Sequence, residues 1–477
     1  MCGIVGYVGY DEAAGKIIEG LKKLEYRGYD SSGIAVLSDK GIELNKCKGE
    51  IENLENMIAG RVPSGTCGIG HTRWATHGAP SDVNSHPHMD QSGRVALVHN
   101  GIVENYVELK EALIKEHGIK FKSETDSEVI AQLVGVKYNS NGGDLEKAVY
   151  DATKEMRGTY AIGVIAEDTP NKIVAYRKEA PLIAGIGRKS NFIASDIPAL
   201  LKYTNDIFLI ENDEMVVCTP DSITIKDKDG KEVKREAMKI TWSVEDAEKG
   251  GYEHFMLKEI NEQPKVVAET LNRRIDEDGK IKLDGINLTK EELDKYNKIY
   301  IVACGTAYHA GLVGKYVIEK MAGIAVEVDV ASEFRYRDPF IDENTLFIAI
   351  SQSGETLDTL MSLRLAKEKG ARVLSVVNVV GSSIARESDD VFYTWAGPEI
   401  AVASTKAYTT QLVCMYLIAL YLGDIRGTLT EEYREFILGE LQQIPEKIQE
   451  ILEESPYIEK LAKRLYNKTQ VFFIGRG

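Results

Sequence analysis

The sequence predicts a multidomain protein of mixed α/β and α+β class, and three observations support this. The chain has 477 residues, 43% of them hydrophobic, which is enough for roughly two to four domains. In the first half short β-rich runs outnumber helices, and the predicted helices cluster, which favours stacked layers of sheet and helix. After residue 298 strand, loop and helix alternate, as is typical of a parallel sheet covered by helices.

The charge, the cysteine spacing and the apolar runs of the sequence argue against several classes of protein and partner. The chain carries 58 Lys and Arg against 74 Asp and Glu, a net charge of −16, so we expect neither nucleic acid nor an anionic membrane surface as the main partner. Its six cysteines are widely spaced without a C-x-x-C pair, which indicates reduced thiols. We find no apolar run of the roughly 18 residues that span a bilayer and no secretory leader. We therefore expect a cytoplasmic protein.

Hydrophobic periodicity places the elements of the first half. Strands are predicted at residues 4–8, 33–37, 42–47, 95–98, 159–165, 173–176, 192–194 and 215–218. Helices are predicted at residues 11–25, 106–117, 126–136 and 144–156.

The amino terminus carries the first chemically distinctive residue. A small residue at position two allows removal of the initiator Met, so we expect the mature chain to begin with Cys2. One residue would then hold a thiol and a free α-amine, with ordinary pKa values of about 8.5 and about 7.7–8.0. The amine can accept the thiol proton directly or through one water. The alternative is an ordinary cysteine in a terminal strand.

Three polar segments follow, at residues 27–33, 70–78 and 99–105. Taken singly, the second reads as a loop with two surface histidines. The third contains Asn100-Gly101, the strongest two-residue hairpin signal.

Together with Cys2 these segments resemble the N-terminal-nucleophile class of glutamine amidotransferases. The matching strings are CGIVGY, RGYDSSG, HTRWATHG, HNGIVENY and SETDSE, in that order within residues 2–220. The resemblance implies a four-layer αββα fold and hydrolysis of the glutamine side-chain amide. It implies that Cys2 is the nucleophile, that Asn100 and the Gly101 N–H form the oxyanion hole, and that Arg27 orders the terminus.

The same resemblance implies a glutamine pocket. Arg73 would hold the α-carboxylate of glutamine in a two-point contact that Lys could not reproduce. Asp126 would hold the ammonium group, helped by Thr76 and His77, and Trp74 would cover the leaving ammonia.

We predict no metal and no cofactor. The pair His86 and His88 has ligand-like spacing, but no Cys or carboxylate set accompanies it. Walker A and dinucleotide fingerprints are absent from the sequence, which argues against a nucleotide.

The composition changes between residues 241 and 271. A Gly250-Gly251 pair followed by Pro264 indicates a domain boundary. The string EKGGYEHFMLKEINEQP also resembles the segment that joins the two activities in the glutamine–fructose-6-phosphate aminotransferase family.

One loop of the second half suggests a binding site. Residues 345–350 predict a buried strand, and residues 351–356, SQSGET, follow it and precede a helix. Three hydroxyls, an amide and free backbone N–H groups at a helix N-terminus form an anion site, outside the carboxyl end of a central strand. The alternative is a routine Ser/Thr helix cap.

This half resembles a sugar isomerase (SIS) domain through CGTAYHA, SQSGETLDT and VASTKAY. The family commonly has Ser where this chain has Ala307, so a hydroxyl contact is lost or replaced there. The resemblance implies phosphate contacts from Ser351, Gln352, Ser353 and Thr356. It implies sugar contacts from Thr306, Val402, Ala403 and Ser404.

These resemblances imply conversion of fructose 6-phosphate and glutamine to glucosamine 6-phosphate and glutamate, a step of hexosamine biosynthesis. Ammonia must then pass between two sites without escaping to water, and we expect a homodimer. Two alternatives remain: a glutaminase that serves another acceptor, and a sugar-phosphate sensor with a glutaminase remnant. Asparagine synthesis is one such acceptor reaction, but the sequence lacks the pyrophosphate-binding SGG-x-DS loop that it requires.

We divide the chain into five parts. They are the glutaminase domain (2–220), a join (221–285), the first SIS domain (286–427), a helical connector (428–467) in which Pro445 begins a second helix, and the start of a second SIS domain with a strand at 471–474 (468–477). Because the family has a complete second SIS domain, we expect this length of chain to release glutamate without isomerising the sugar.

Overall fold

The computed structural model describes residues 2–75, 78–240, 249–275, 281–283 and 285–475. They form two compact units that divide between residues 248 and 249. The division lies within the segment 221–285, directly before the Gly250-Gly251 pair. The exact domain boundaries stay a prediction.

The first unit contains two antiparallel sheets. Its helices are α1 (Ala13–Lys22), α2 (Ile51–Ile58), α3 (Tyr106–His117), α4 (Asp126–Ser140) and α5 (Leu145–Glu155). Its strands are β1 (Gly3–Gly9), β2 (Ser31–Ser38), β3 (Gly41–Lys48), β4 (Cys67–Arg73), β5 (His88–Met89), β6 (Val95–Val103), β7 (Gly158–Ala166), β8 (Ile173–Lys178), β9 (Ile183–Gly187), β10 (Ser190–Ala194), β11 (Asp206–Leu209), β12 (Glu214–Cys218), β13 (Ile223–Lys226) and β14 (Met238–Lys239). The described strands are ordered β14-β11-β9-β10-β1-β4-β2-β3 in one sheet and β13-β12-β8-β7-β6-β5 in the other.

The two sheets face each other and carry helices on their outer sides. Ile4 and Val8 of β1 share one buried cluster with Val98 of β6, which fills the space between the sheets. A second cluster joins the six-stranded sheet to α3, α4 and α5. On the other outer side, Ile17 of α1 packs so closely on Gly70 of β4 that a Cβ added to Gly70 would lie 2.4 Å from Ile17 Cγ2. This is the four-layer αββα arrangement that the resemblance to the amidotransferase class implied.

All predicted strands and helices of this unit are present. Among the described elements, the sequence missed one helix, α2, and six strands, β4, β5, β9, β11, β13 and β14, of which β4 matters most for the site. This strand pairs with β1 on one side and β2 on the other, in the middle of its sheet. The hairpin alternative for Asn100-Gly101 is wrong, because both residues lie inside β6 and pair with Ala161 and Tyr160 of β7.

The second unit is a three-layer αβα domain. Its strands are β15 (Lys298–Ala303), β16 (Ala325–Val330), β17 (Thr345–Ser351), β18 (Arg372–Val377) and β19 (Asp390–Tyr393). Its helices are α6 (Phe255–Asn272), α7 (Lys290–Leu293), α8 (Thr306–Ala322), α9 (Ala331–Phe334), α10 (Leu357–Glu368), α11 (Ser383–Glu387), α12 (Lys406–Arg426), α13 (Glu431–Glu453) and α14 (Ser455–Leu465).

The sheet of this unit is parallel throughout its described strands, in the order β16-β15-β17-β18-β19. Alternate residues of β15 enter two different cores: Ile299 and Ile301 pack with α8 and α12, whereas Tyr300 and Val302 pack with α9 and α10. Both faces of each central strand are therefore apolar, as parallel sheets require.

Two prolines do not interrupt the structure where the sequence predicts it, and one predicted strand is not formed. Pro264 and Pro445 lie inside α6 and α13, so neither begins a new element. Gln263 Nε2 donates to the Ile260 carbonyl at 3.1 Å, which satisfies the acceptor that Pro264 leaves free. The strand predicted at residues 471–474 is not formed.

One helix of the described chain, α12, is long and apolar enough to cross a membrane, with 61% of its most apolar window buried in the structure. Leu417, Ile418 and Leu420 of this helix belong to the core of the second unit. Core helices pass the same test of length and composition.

Candidate functional site

Cys2 lies directly before β1 and faces the end of the neighbouring strand β4. Its sulfur accepts a hydrogen bond from the Trp74 backbone N–H at 3.3 Å. Burial raises the pKa of the Cys2 thiol, while the Trp74 N–H and the positive charge of Arg73 oppose that shift. Because a thiol with a raised pKa is mostly protonated at neutral pH, it needs a base before it can act as a nucleophile.

Two side chains hold the backbone of Cys2. Arg27 Nε and Asn100 Nδ2 each donate to the Cys2 carbonyl oxygen at 3.1 Å. The guanidinium of Arg27 is itself fixed by Asp196, with Nη1 and Oδ2 2.7 Å apart. Together these contacts fix the backbone from which the Cys2 thiol projects.

The backbone at Gly101 explains why glycine follows Asn100. Its φ is +122°, and an added Cβ would lie 2.0 Å from the Thr159 carbonyl oxygen. A larger residue would force β6 away from β7. Glycine therefore keeps the Asn100 amide beside Cys2.

Two buried charges flank this site. Arg73 ends β4 and donates from Nη2 to the Gly78 carbonyl at 3.0 Å. Asp126 opens α4, and its Oδ2 accepts from the Val103 N–H at 3.0 Å. Both side chains are 4% exposed. A buried cation and a buried carboxylate are the groups that the carboxylate and ammonium of an amino acid require.

Of the remaining predicted residues of this site, the structure describes Trp74 alone. The Trp74 ring is 42% exposed and meets the Tyr29 ring edge to face, with centroids 5.2 Å apart. Thr76 and His77 lie outside the described residues.

Four histidines pack behind the site, and the sequence did not foresee this. His71, His86, His88 and His99 are all buried, and the His71 and His86 rings stack with centroids 4.1 Å apart. Burial is the main cause that lowers the pKa of His71 to about 3, and it places the pKa of His86 and His88 well below the usual range. Within the described residues no group of three or more His, Cys, Asp and Glu is arranged to hold a metal.

The hydroxyl loop of the second unit lies at the carboxyl edge of its sheet. Ser351 ends β17; its Oγ accepts from the Gly354 N–H at 3.0 Å and lies 3.0 Å from Thr356 Oγ1. Ser353 Oγ accepts from the Glu355 N–H at 3.1 Å. Although Thr356 is the N-cap residue of α10, its side chain makes no capping hydrogen bond. The routine-cap interpretation therefore does not explain this hydroxyl.

A glycine fixes the shape of the loop. Gly354 has a φ of +64°, and an added Cβ would lie 2.0 Å from Ser382 Oγ. Beside the loop, β15 ends at Ala303, and Thr306 begins α8 at the same edge of the sheet. Ala307 is buried in the core.

Asn378 links the hydroxyl loop to the segment that precedes α12. Its N–H donates to the Gln352 carbonyl at 3.1 Å, and its Nδ2 donates to the Gly397 carbonyl at 2.7 Å. Val402, Ala403 and Ser404 lie in that segment, where Val402 is 67% exposed.

A buried carboxylate holds the same segment. Glu259 of α6 is 2% exposed, and its Oε1 accepts from the N–H groups of Ile400 at 2.6 Å and Ala401 at 3.0 Å. Burial outweighs these hydrogen bonds and raises the pKa of Glu259 from 4.5 to about 6.

The Glu259→Gln variant is expected to lose a pH dependence of stability. A raised folded-state pKa means that ionisation of the buried carboxyl lowers the free energy of unfolding. This loss is absent below about pH 4.5 and complete above about pH 6, where it reaches about 2 kcal/mol. Wild-type protein should therefore gain thermal stability relative to the Gln variant as the pH falls from 7.5 to 5. Melting temperatures of both proteins across this range measure the difference; parallel curves would contradict the assignment.

Two protein-family models match parts of the chain. Residues 71–202 match the glutamine amidotransferase domain family, and residues 292–421 match the SIS domain family. The glutamine–fructose-6-phosphate aminotransferase (isomerizing) of Clostridium tetani is 58% identical over 477 residues, which are 100% of this chain and 78% of that protein. The protein of the same name from Clostridium perfringens is 56% identical with the same coverage.

The chain belongs to the glutamine–fructose-6-phosphate aminotransferase family. A solved structure, the C-terminal domain of glucosamine-fructose-6-phosphate aminotransferase from Francisella tularensis, is 43% identical and covers 48% of this chain and 64% of that chain, with a TM-score of 0.46.

In this member of the aminotransferase family, three supporting residues escaped sequence reasoning: His71, Glu259 and Asn378. Only Asn378 carried a usable signal. It directly follows β18, and residues at the carboxyl ends of parallel strands face the ligand edge of the sheet.

Proposed function

We propose that this protein serves the conversion of glutamine and fructose 6-phosphate to glutamate and glucosamine 6-phosphate, and that its two units supply the glutamine hydrolysis and the sugar-phosphate binding. The observation that supports this most directly is the Cys2 constellation, in which a half-buried thiol has the Asn100 amide hydrogen-bonded to its own backbone carbonyl. The second unit adds a loop of hydroxyls and N–H groups at a sheet edge.

The first half-reaction is hydrolysis of glutamine. Once Met1 is removed, the α-amine of Cys2 accepts the thiol proton, and the thiolate attacks the side-chain amide carbon. Asn100 Nδ2–H and the Gly101 N–H stabilise the oxyanion. Ammonia leaves with the transferred proton, and water then releases glutamate from the thioester. Arg27 orders the nucleophile by holding its carbonyl.

Glutamine is held by the flanking charges. Arg73 binds its α-carboxylate and Asp126 its ammonium group, with Thr76 and His77 completing the pocket. Both charged side chains are buried, where hydrogen bonds to the opposite charges of an amino acid are strong. Trp74 covers the ammonia as it leaves.

The second half-site binds the sugar phosphate. Ser351, Gln352, Ser353 and Thr356 contact the phosphate, and the positive end of the α10 dipole supplies charge without Lys or Arg. Thr306, Val402, Ala403 and Ser404 contact the sugar. Asn378 and Glu259 hold the two contributing loops in place.

Replacing both Ser353 and Thr356 by Ala is expected to weaken fructose 6-phosphate binding at least about tenfold, since each hydrogen bond to a charged phosphate contributes about 1.5–3 kcal/mol. Calorimetric titration measures the affinity. Glutamine hydrolysis should persist in this variant.

The matched control is Ser388→Ala, whose hydroxyl only donates to the Ile384 carbonyl at 2.7 Å. Unchanged sugar affinity in the double variant would assign the hydroxyl loop to helix initiation alone.

The two half-sites are tested together by two measurements on wild-type protein: glutamate release from glutamine, and calorimetric binding of fructose 6-phosphate. Glutamine turnover without sugar binding would favour a glutaminase for another acceptor. Sugar binding without turnover would favour a sensor. We further propose that the protein is a cytoplasmic homodimer. Light scattering of the purified protein tests whether it is a dimer.

A further inference from the structure

His71 lies directly behind the Asn100 side chain. It belongs to β4, pairs with Ile4 of β1 and is fully buried. Its Nε2 is 2.9 Å from Asn100 Oδ1 and 3.0 Å from the His99 carbonyl oxygen. Both of these atoms only accept hydrogen bonds, so the His71 Nε2 must carry a hydrogen.

The orientation of the Asn100 amide follows from its second contact, with Cys2. Its Nδ2 is 3.1 Å from the Cys2 carbonyl oxygen, which can only accept. The amide nitrogen must therefore face Cys2, and Oδ1 must face His71. Rotation of the amide by 180° would set Oδ1 against the Cys2 carbonyl and the amide N–H against a second donor, so His71 opposes that orientation.

The surroundings of His71 keep its ring neutral. Burial is the main cause that lowers the pKa of His71, and the charge of Arg73 adds to it. The His86 ring stacks on His71, and His86 in turn meets the His88 ring at 4.9 Å between centroids. Its Nδ1 has no hydrogen-bond partner among the described residues. A neutral ring that carries its only hydrogen on Nε2 satisfies all of these contacts.

We propose that His71 is a positioning residue for glutamine hydrolysis: its Nε2–H fixes and polarises the Asn100 amide so that Nδ2–H points to the developing oxyanion. This inference rests on the proposed glutaminase function. A donor to Oδ1 strengthens the donor at Nδ2 of the same amide, and a fixed amide has no reorientation left to make during the reaction.

The test compares His71→Met with His71→Gln. The Met side chain fills the space without a donor, and we expect kcat for glutamine hydrolysis to fall about 10- to 100-fold while KM stays within about threefold. The Gln amide can donate from near the position of Nε2, so it should restore kcat to within about threefold of wild type. A Met variant with wild-type kcat, or Gln and Met variants that are equally slow, would overturn the proposal.

A measurement on wild-type protein does not depend on how the variants fold. In protein labelled with ¹⁵N-histidine, the resonances of His71 are identified by their loss in His71→Gln. We expect Nε2 protonated and Nδ1 unprotonated from pH 8 to pH 5. A hydrogen on Nδ1 would overturn the proposal. If wild-type protein does not hydrolyse glutamine, the proposed function fails, and the nitrogen resonances still report on His71.

Discussion

Replacing Cys2 by Ala is expected to lower the rate of glutamine hydrolysis by at least about 10,000-fold, because loss of a covalent nucleophile removes the reaction path and leaves only binding and oxyanion stabilisation. Glutamate release measures the rate. Intact-mass spectrometry of wild-type protein should show that Met1 has been removed, since the α-amine of Cys2 is the proposed base.

The control is Cys47→Ala, which changes a buried cysteine on β3 of the same unit. We expect this variant to keep its rate within about threefold of wild type. Substantial activity in Cys2→Ala would mean that the nucleophile is elsewhere. Full activity with Met1 still attached would exclude the α-amine as the base.

The second large effect is expected from Asn100→Asp. This change keeps the oxygen that faces His71 and replaces the amide donor beside Cys2 by an acceptor. Loss of one oxyanion donor costs about 100- to 1,000-fold in kcat, and a carboxylate at that position also repels the developing charge. We therefore expect kcat to fall about 1,000-fold with a smaller change in KM.

Asn139→Asp is the matched control for this change. Its Oδ1 accepts from Arg94 Nη1 at 2.9 Å, a contact that a carboxylate preserves. We expect its kcat to stay near wild type. An Asn100→Asp variant as active as this control would remove Asn100 from the oxyanion hole.

Local patterning predicted stacked sheet and helix in the first unit and a helix-covered parallel sheet in the second, since alternation and helical spacing depend only on near neighbours. It failed at β4, where the string GIGHTR is polar. The strand is central, and its His71 and Arg73 side chains are buried between other elements. Buried polar residues carry no periodic signal that distinguishes them from a surface loop, because their partners are distant in sequence.

The same reason limited prediction of the sites. The glutaminase and sugar-phosphate residues were inferred from motif resemblance, whereas their supports come from other elements: His71 behind Asn100, and Glu259 beneath the segment before α12. A proline signal can also mislead when a nearby side chain compensates for it. Pro264 predicts a boundary, but Gln263 donates to the carbonyl that Pro264 leaves without a partner, and α6 continues.

If Cys2 is the nucleophile, it forms a covalent glutamyl thioester during turnover, which mass spectrometry of wild-type protein quenched in acid during glutamine turnover detects. We expect an added glutamyl group on the peptide that begins with Cys2, absent without glutamine and absent from Cys2→Ala. A glutamyl adduct on any other residue, or turnover in a Cys2→Ala protein without that adduct, would contradict it.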